Sequence, residues 1–233
     1  MKVIKKIVFV VLIFTISIGL LVVGNGYDMY KEALEQMPLE EKIDNIREKE
    51  NYTKIDEIPE MYINAVISVE DHRFYKHNGI DIIAIGRAVV NDIKAMDFVE
   101  GGSTITQQLC KNIYFTQEKK ITRKIAEVFM AFKIESNYEK KEILELYINT
   151  SYFGEGCYTV EEASNKYFGK EPKNMTDSEC IMLAGIPNAP SVYNPIENSK
   201  LAKQRQKQVI DKMIKYKYLT QDKANEILNQ NSN

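Results

Sequence analysis

An uninterrupted apolar run near the N-terminus constrains this chain of 233 residues more than any other feature of its sequence. The run extends from Ile7 to Gly24, contains no charged residue, and follows the lysines Lys2, Lys5 and Lys6. As a helix, its roughly 18 residues would span about 27 Å, close to the thickness of the hydrocarbon layer of a bilayer. The pattern therefore predicts a membrane-spanning helix.

The charges around this helix predict its orientation and the organisation of the chain. Lysines before the first apolar helix favour a cytoplasmic N-terminus, which places the rest of a single-pass protein outside the cell membrane. A cleaved signal peptide is the alternative, although Val22-Val23-Gly24 matches a small-residue cleavage site poorly. We divide the chain into a cytoplasmic tip and anchor (1–26), a charged stalk (27–52) and one domain (53–233).

Composition excludes several classes of function. The net charge is −2, so no overall basic field points to a nucleic-acid partner. The three cysteines are an odd number without C-x-x-C spacing, which is typical of small core residues rather than of a disulfide framework or a zinc site. With only two histidines in the chain, a metal site built from several histidines is excluded.

Apolar spacing in the domain is helical throughout. Pro59 fits the first position of a helix that ends near Glu70. A second group of apolar residues recurs at helical period and forms a stripe, which consists of Ile121, Ile125, Val128, Phe129 and Phe132. Ser136-x-x-Glu139 and Thr176-x-x-Glu179 match the capping box that opens a helix. No convincing alternation of apolar and polar residues occurs, so we predict a mainly α fold.

Glu70 is the first candidate for chemistry. At a helix C-terminus, the negative end of the helix dipole and partial burial both raise the pKa of a carboxyl group. A raised pKa suits a general base that works near neutral pH. A solvated Glu70-Asp71 pair at a helix end is the alternative that composition alone favours.

A second carboxylate, Glu127, lies four residues after Arg123 and three after Lys124. On a helix these residues share one face, and the simple alternative is a surface ion pair worth a few tenths of a kcal/mol. The functional interpretation is a carboxylate that stays ionised among cations. Two carboxylates in opposed environments are a known way to divide acid–base work.

The segment Gly101-Gly102-Ser103-Thr104 predicts a flexible turn that leads into a helix. A helix N-terminus presents free N–H groups to an anion, and hydroxyl, amide and cationic side chains can add further donors. The candidates that follow are Gln107, Gln108, Lys111 and Lys119. An ordinary N-cap with a solvated basic face is the alternative.

Together, these segments resemble the family 51 peptidoglycan glycosyltransferases, also called penicillin-binding-protein transglycosylase domains, from about Ile55 to Met213. The resemblance rests on five ordered motifs: Glu70-Asp71-x-x-Phe74-x-x-His77-x-Gly79, Gly102-Ser103-Thr104-x-x-Gln107-Gln108, Arg123-Lys124-x-x-Glu127, Ile143-Leu144-Glu145-x-Tyr147-x-Asn149, and Leu183-Ala184-Gly185-Ile186-Pro187-Asn188-Ala189-Pro190. Because the chain ends soon after the fifth motif, it is similar to the monofunctional biosynthetic class, without a transpeptidase domain.

The resemblance implies a lysozyme-like α fold for residues 53–233 and lipid II, a lipid-linked disaccharide-pentapeptide, as substrate. It implies that Glu70 removes the proton from the 4-hydroxyl of the acceptor sugar, which attacks the anomeric carbon of the growing chain with inversion and releases undecaprenyl diphosphate. Glu127 would position the reactants. The implied substrate-binding residues are Arg87, Ser103, Thr104, Gln107, Gln108, Lys111, Lys119, Arg123 and Lys124.

By the same resemblance, the partners are lipid II, the growing glycan chain, the membrane and other proteins of cell-wall synthesis. The one cofactor candidate is a divalent cation, Mg²⁺ or Mn²⁺, bound at the diphosphate. The motifs assign no ligands to it. Two alternatives stay open: a lytic enzyme that cuts glycan on the same fold, and a membrane-anchored scaffold that has lost catalysis.

Overall fold

The fold is built from α-helices in a computed structural model, which describes residues 2–95, 101–116 and 120–230. No strand occurs in these ranges, so the prediction of a mainly α fold is confirmed. The helices are α1 (Lys2–Gln36), α2 (Leu39–Arg47), α3 (Glu60–Glu70), α4 (Ile82–Ala95), α5 (Ile105–Tyr114), α6 (Ile121–Glu135), α7 (Lys140–Ile148), α8 (Val160–Phe168), α9 (Asp177–Gly185), α10 (Ser199–Lys215) and α11 (Gln221–Gln230).

The core lies where two groups of helices meet. Helix α3 packs on α9 and α10, and α5 packs on α6 and α7. The largest fully buried side chains include Tyr62 on α3, Leu109 on α5, Met130 on α6 and Tyr147 on α7. Burial of such side chains stabilises each by about 1.5–3 kcal/mol relative to exposure, and it fixes the ends of α3 and α5 beside one another.

Helix α1 is longer than the apolar run that predicts it. By length and composition it can cross a membrane, and its apolar window is exposed along the whole length, which fits a membrane anchor. Beyond the apolar run, α1 packs along α6. The segment assigned to the stalk also joins the domain, because Leu39, Ile43 and Ile46 of α2 are buried in the core. The boundary at residue 53 stays a prediction.

Local capping sets the helix boundaries. Helix α3 ends at Glu70, as predicted, and Thr176 caps α9 with Glu179 as its partner. The capping box predicted at Ser136 is wrong: Glu139 is the N-cap of α7, with Glu142 as its partner. Ser136 instead closes α6, where its hydroxyl donates to the carbonyl oxygen of Phe132 at 2.7 Å.

Candidate active site

Glu70 is the last residue of α3, and its side chain is partly buried. Gln108 Nε2 donates to Glu70 Oε2 at 2.7 Å, whereas Glu70 Oε1 is buried without a hydrogen-bond partner among the described residues. Burial raises the pKa of Glu70, and the Gln108 bond and the charges of Arg205 and Lys111 oppose that rise. A carboxylate oxygen with unused acceptor capacity can take a proton from a bound hydroxyl.

A short hydrogen-bonded chain holds this carboxylate in place. The hydroxyl of Tyr147, which is buried on α7, donates to Gln108 Oε1 at 3.3 Å. With its oxygen engaged in this way, the amide of Gln108 turns its nitrogen toward Glu70. A general base must be held in a productive position, so Gln108 contributes orientation to the site.

Glu127 is held between two cations on α6. Arg123 Nη1 donates to Glu127 Oε1, and Lys124 Nζ donates to Glu127 Oε2 at 2.8 Å. The Glu127 side chain is only 1% exposed. Lys124 Nζ also donates to Ser103 Oγ, at 2.7 Å, and thereby ties α6 to the loop before α5.

Lys111, Arg123 and Lys124, which we call the cationic cluster, influence one another and the base. Burial lowers the pKa of Lys124 to about 8, and the charges of Arg123 and Lys111 add to the effect. Burial and Arg123 also lower the pKa of Lys111, while Glu70 raises it. Lys111 therefore interacts electrostatically both with Glu70 and with the two cations that hold Glu127. This interaction links the surroundings of the two carboxylates.

A cavity of about 400 Å³ opens beside these residues. Gln108, Lys111 and Tyr147 form its inner wall, and Tyr152 and Tyr158 stand toward its mouth. The two tyrosine rings lie 4.8 Å apart, and both side chains are exposed. Its lining of hydroxyl, amide and aromatic groups suits a sugar-containing ligand, which offers hydroxyl groups and apolar ring faces.

Other predicted site residues have structural contacts. Thr104 and Gln107 are buried and form the capping box of α5, and the Thr104 hydroxyl also donates to the carbonyl oxygen of Gly79 at 2.6 Å. Arg87, on α4, places Nη1 3.4 Å from His72 Nε2. Lys119 lies outside the described residues. Substrate contact by these four residues stays a prediction.

Asp71 and His77 of the first motif belong to a buried network, together with Asp81. His77 Nε2 lies 2.9 Å from Asp71 Oδ2, which also accepts from the backbone N–H of Ile105 at 3.1 Å. Asp81 accepts from Arg73 Nε at 2.8 Å and caps α4. Because these carboxylates already have hydrogen-bond partners, we interpret the group as a structural network that holds the loop after α3 against α5.

Sequence reasoning missed Arg205, on α10. Its Nε donates to the carbonyl oxygen of Gly185 at 3.2 Å, its guanidinium lies over the ring of Tyr193, and its charge opposes the rise in the pKa of Glu70. A side chain on Gly185 would collide with Arg205, since a Cβ there would lie 2.9 Å from Arg205 Cγ. Gly185, at the end of Leu183-Ala184-Gly185, was the only sequence signal that another side chain packs closely against the backbone at this position.

Comparison with known proteins decides the family. The sequence model of the transglycosylase family matches residues 38–214. The chain belongs to this family, the family 51 glycosyltransferases. The resemblance drawn from the motifs is thereby confirmed, and the matched range includes α2.

Several penicillin-binding proteins are similar to this family 51 chain. It is 44% identical to penicillin-binding protein 1A of Neisseria lactamica over 183 residues, which are 78% of this chain and 23% of that protein. The identity to penicillin-binding protein 1A of Aquifex aeolicus is also 44%, over 78% of this chain and 25% of the relative. Penicillin-binding protein 2D of Bacillus subtilis is 42% identical over 80% of this chain and 27% of its own length.

The chain thus spans about a quarter of the length of these relatives. A crystal structure of penicillin-binding protein 1A from Haemophilus influenzae matches 38% of this chain and 13% of its own, with 38% identity and a TM-score of 0.37. At that TM-score the superposition carries no argument about the fold.

Proposed function

We propose that this protein polymerises lipid II into glycan strands by inverting β-1,4 glycosyl transfer, with Glu70 as the general base. The observation that carries the proposal is the Glu70 carboxyl group, which is desolvated and is held by Gln108 through one oxygen, while its other oxygen has no partner in the part of the chain that the structure describes. Gln108, which holds this carboxyl group, also lines the cavity of about 400 Å³ together with Lys111, and the charge of Lys111 acts on Glu70. Family membership supports a peptidoglycan substrate.

The proposed reaction begins with a proton transfer from the acceptor sugar to Glu70. Glu70 Oε1 takes the proton of the acceptor's 4-hydroxyl, and the oxygen of that group forms a bond to the anomeric carbon of the growing chain. The bond from that carbon to the diphosphate breaks, and undecaprenyl diphosphate leaves with the electron pair. Lys111, Arg123 and Lys124 compensate the negative charge that develops on the leaving group, which is commonly a large catalytic contribution.

In this proposal Glu127 acts through the cations that it holds. Both of its oxygens already accept hydrogen bonds, from Arg123 and Lys124, so its role is to keep these side chains pointed toward the diphosphate. Glu127 is a single carboxylate, and a divalent cation bound to it would be repelled by the positive charges of Arg123 and Lys124 beside it. The donor set therefore does not fit the Mg²⁺ or Mn²⁺ that the resemblance suggested, and no step of the proposed reaction uses a metal.

We further propose that the domain lies on the extracellular side, where it meets lipid II and the growing glycan at the membrane surface. The support is an N-terminal helix that by length and composition can cross a membrane, preceded by lysines, which favour a cytoplasmic N-terminus. The lytic alternative gives no role to a cationic cluster, since a glycan-cutting enzyme handles no diphosphate. The scaffold alternative gives no reason to keep a carboxyl group desolvated beside a cavity.

Incubation of the purified full-length protein with lipid II tests the proposal. We expect glycan polymer and free undecaprenyl diphosphate to appear together, and a preformed glycan to keep its length. Shortening of the preformed glycan would favour the lytic alternative, and no change in either substrate would favour the scaffold.

The lowered pKa of Lys124 predicts an alkaline limit to activity. Lys124 is charged below its pKa of about 8 and loses its proton as the pH rises through that value, so compensation of the diphosphate weakens. We expect kcat/KM for lipid II to fall above about pH 8. In Lys124→Arg, whose side chain stays charged, the fall should move to higher pH. An alkaline limb at the same pH in both proteins would contradict this assignment.

A further inference from the structure

Helix α1 packs on the same helix that carries two cations of the cluster. Gly26 is buried against α6: a Cβ at this position would lie 2.6 Å from Ile125 Cγ2 and 3.0 Å from the carbonyl oxygen of Thr122. Real Cβ atoms essentially never approach so closely, and a backbone oxygen cannot give way as a flexible side chain can. Only glycine therefore permits this approach of the two helices.

The next turn of α1 continues the contact. The ring of Phe129 lies 5.2 Å from that of Tyr27 and 5.9 Å from that of Tyr30, within the range of favourable aromatic pairs. Because Gly26 meets Thr122 and Tyr30 meets Phe129, residue numbers increase in the same direction along both helices. The N-terminus of α6 therefore points toward the membrane.

The contact between α1 and α6 sets the height of Arg123 and Lys124 above the edge of the hydrocarbon layer. Gly26 lies two residues, or about 3 Å, beyond the end of the apolar run at Gly24. Arg123 and Lys124 follow Thr122 on α6, so they lie a few Å beyond the edge of the hydrocarbon layer, within the headgroup layer of about 5–8 Å. Ile121, at the membrane-facing end of α6, is 74% exposed, as expected for a side chain that meets lipid.

The diphosphate of a lipid-linked sugar is confined to the same layer. Its negative charges stay out of the hydrocarbon, because a charge within a bilayer is costly, and its polyprenyl chain keeps it from leaving the membrane. A match in height between cations and diphosphate matters only for substrates that are held in a bilayer.

We propose that Gly26 is a positioning residue that fixes the height of the cationic cluster at the level of a membrane-bound diphosphate. The inference rests on the proposed function and deepens it, since it makes the contact between α1 and α6 the element that adapts the enzyme to a substrate embedded in a bilayer. Gly26 itself touches no substrate. Its effect passes through Thr122 and Ile125 to Arg123 and Lys124, which are their neighbours on α6.

The test compares two substrates in Gly26→Leu and in a matched control, Gly24→Leu. The control adds the same side chain at a position where, among the described residues, no atom beyond the adjacent helix backbone lies within 4 Å of the new Cβ. One substrate is full-length lipid II in proteoliposomes that hold equal amounts of each protein. The other is a water-soluble lipid II analogue with a short prenyl chain, assayed in detergent. Since misplacement by 1 Å can lower a rate about a hundredfold, we expect Gly26→Leu to lose at least about tenfold in liposomes and less than about twofold on the analogue.

Phe129→Ala is the second variant, because it loosens the same contact without crowding α6. Loss confined to the liposome substrate in either variant, with Gly24→Leu like the wild type, supports the inference. Equal loss on both substrates in both variants, or no loss, overturns it. If the wild type polymerises neither substrate, it is the proposed function that fails, so the two failures can be told apart.

Discussion

Glu70→Gln is expected to abolish polymerisation of lipid II and at the same time to stabilise the protein. Loss of the general base should lower kcat by about 10²–10⁴-fold. The glutamine can still accept the hydrogen bond from Gln108 and carries no charge into the desolvated site. For a chain of this size, each kcal/mol of desolvation that is relieved raises Tm by about 2–4 °C, so we expect Tm to rise at pH 7.

The pH dependence of this stabilisation distinguishes it from a change in packing. A carboxyl group whose folded-state pKa is raised contributes stability at low pH and loses that contribution as the pH rises through the folded-state pKa. The Tm advantage of Glu70→Gln should therefore disappear below the ordinary carboxyl pKa of 4.5, where Glu70 is protonated in both states. An unchanged polymer yield from Glu70→Gln would remove Glu70 as the base.

Glu127→Gln should lower both stability and activity. The substitution removes the anion that holds Arg123 and Lys124, and leaves two partly buried cations to repel each other. Removing one partner of a fully buried pair costs about 3–5 kcal/mol, and partial exposure of the lysine should reduce this to about 1–3 kcal/mol. We expect kcat/KM to fall at least about a hundredfold, because the cations no longer point at the leaving group.

Glu135→Gln is the matched control for that prediction. Glu135 lies two turns further along α6, its side chain is 7% exposed, and it accepts from Lys140 Nζ at 2.7 Å and from the Thr106 hydroxyl at 2.6 Å. Thermal unfolding should show a comparable loss of stability in the two variants, while Glu135→Gln keeps its activity at temperatures where it is folded. Equal losses of activity would mean that Glu127 has only a structural role.

Helix boundaries with strong local signals could be predicted from the sequence, and those decided by packing could not. The cap at Thr176 is local, whereas Ser136 resembles an N-cap but ends α6, since burial of Ile134 holds the last turn of that helix in place. The sequence predicted the apolar stripe on α6, but it did not indicate which elements the stripe packs against. Ile125 and Phe129 of that stripe face α1, while Met130 faces the core.

The candidate site was predictable where residue type and position agree. The sequence identified Glu70 and Glu127, but it could not separate Ser103, which bonds Lys124, from Thr104, which caps α5. Neighbouring polar residues at the start of a helix point in different directions, and only the cap geometry decides which one faces the cleft. Arg205 could not be found, because its closeness to Glu70 depends on how α10 packs against α3.

The role of Glu70 as the base is tested by the pH dependence of kcat/KM for lipid II in the wild-type protein, since the acid limb of this profile reports the pKa of the essential base in the free enzyme. We expect this limb to titrate above the ordinary carboxyl pKa of 4.5, with activity lost as Glu70 becomes protonated. A rate that stays constant down to that value would contradict it.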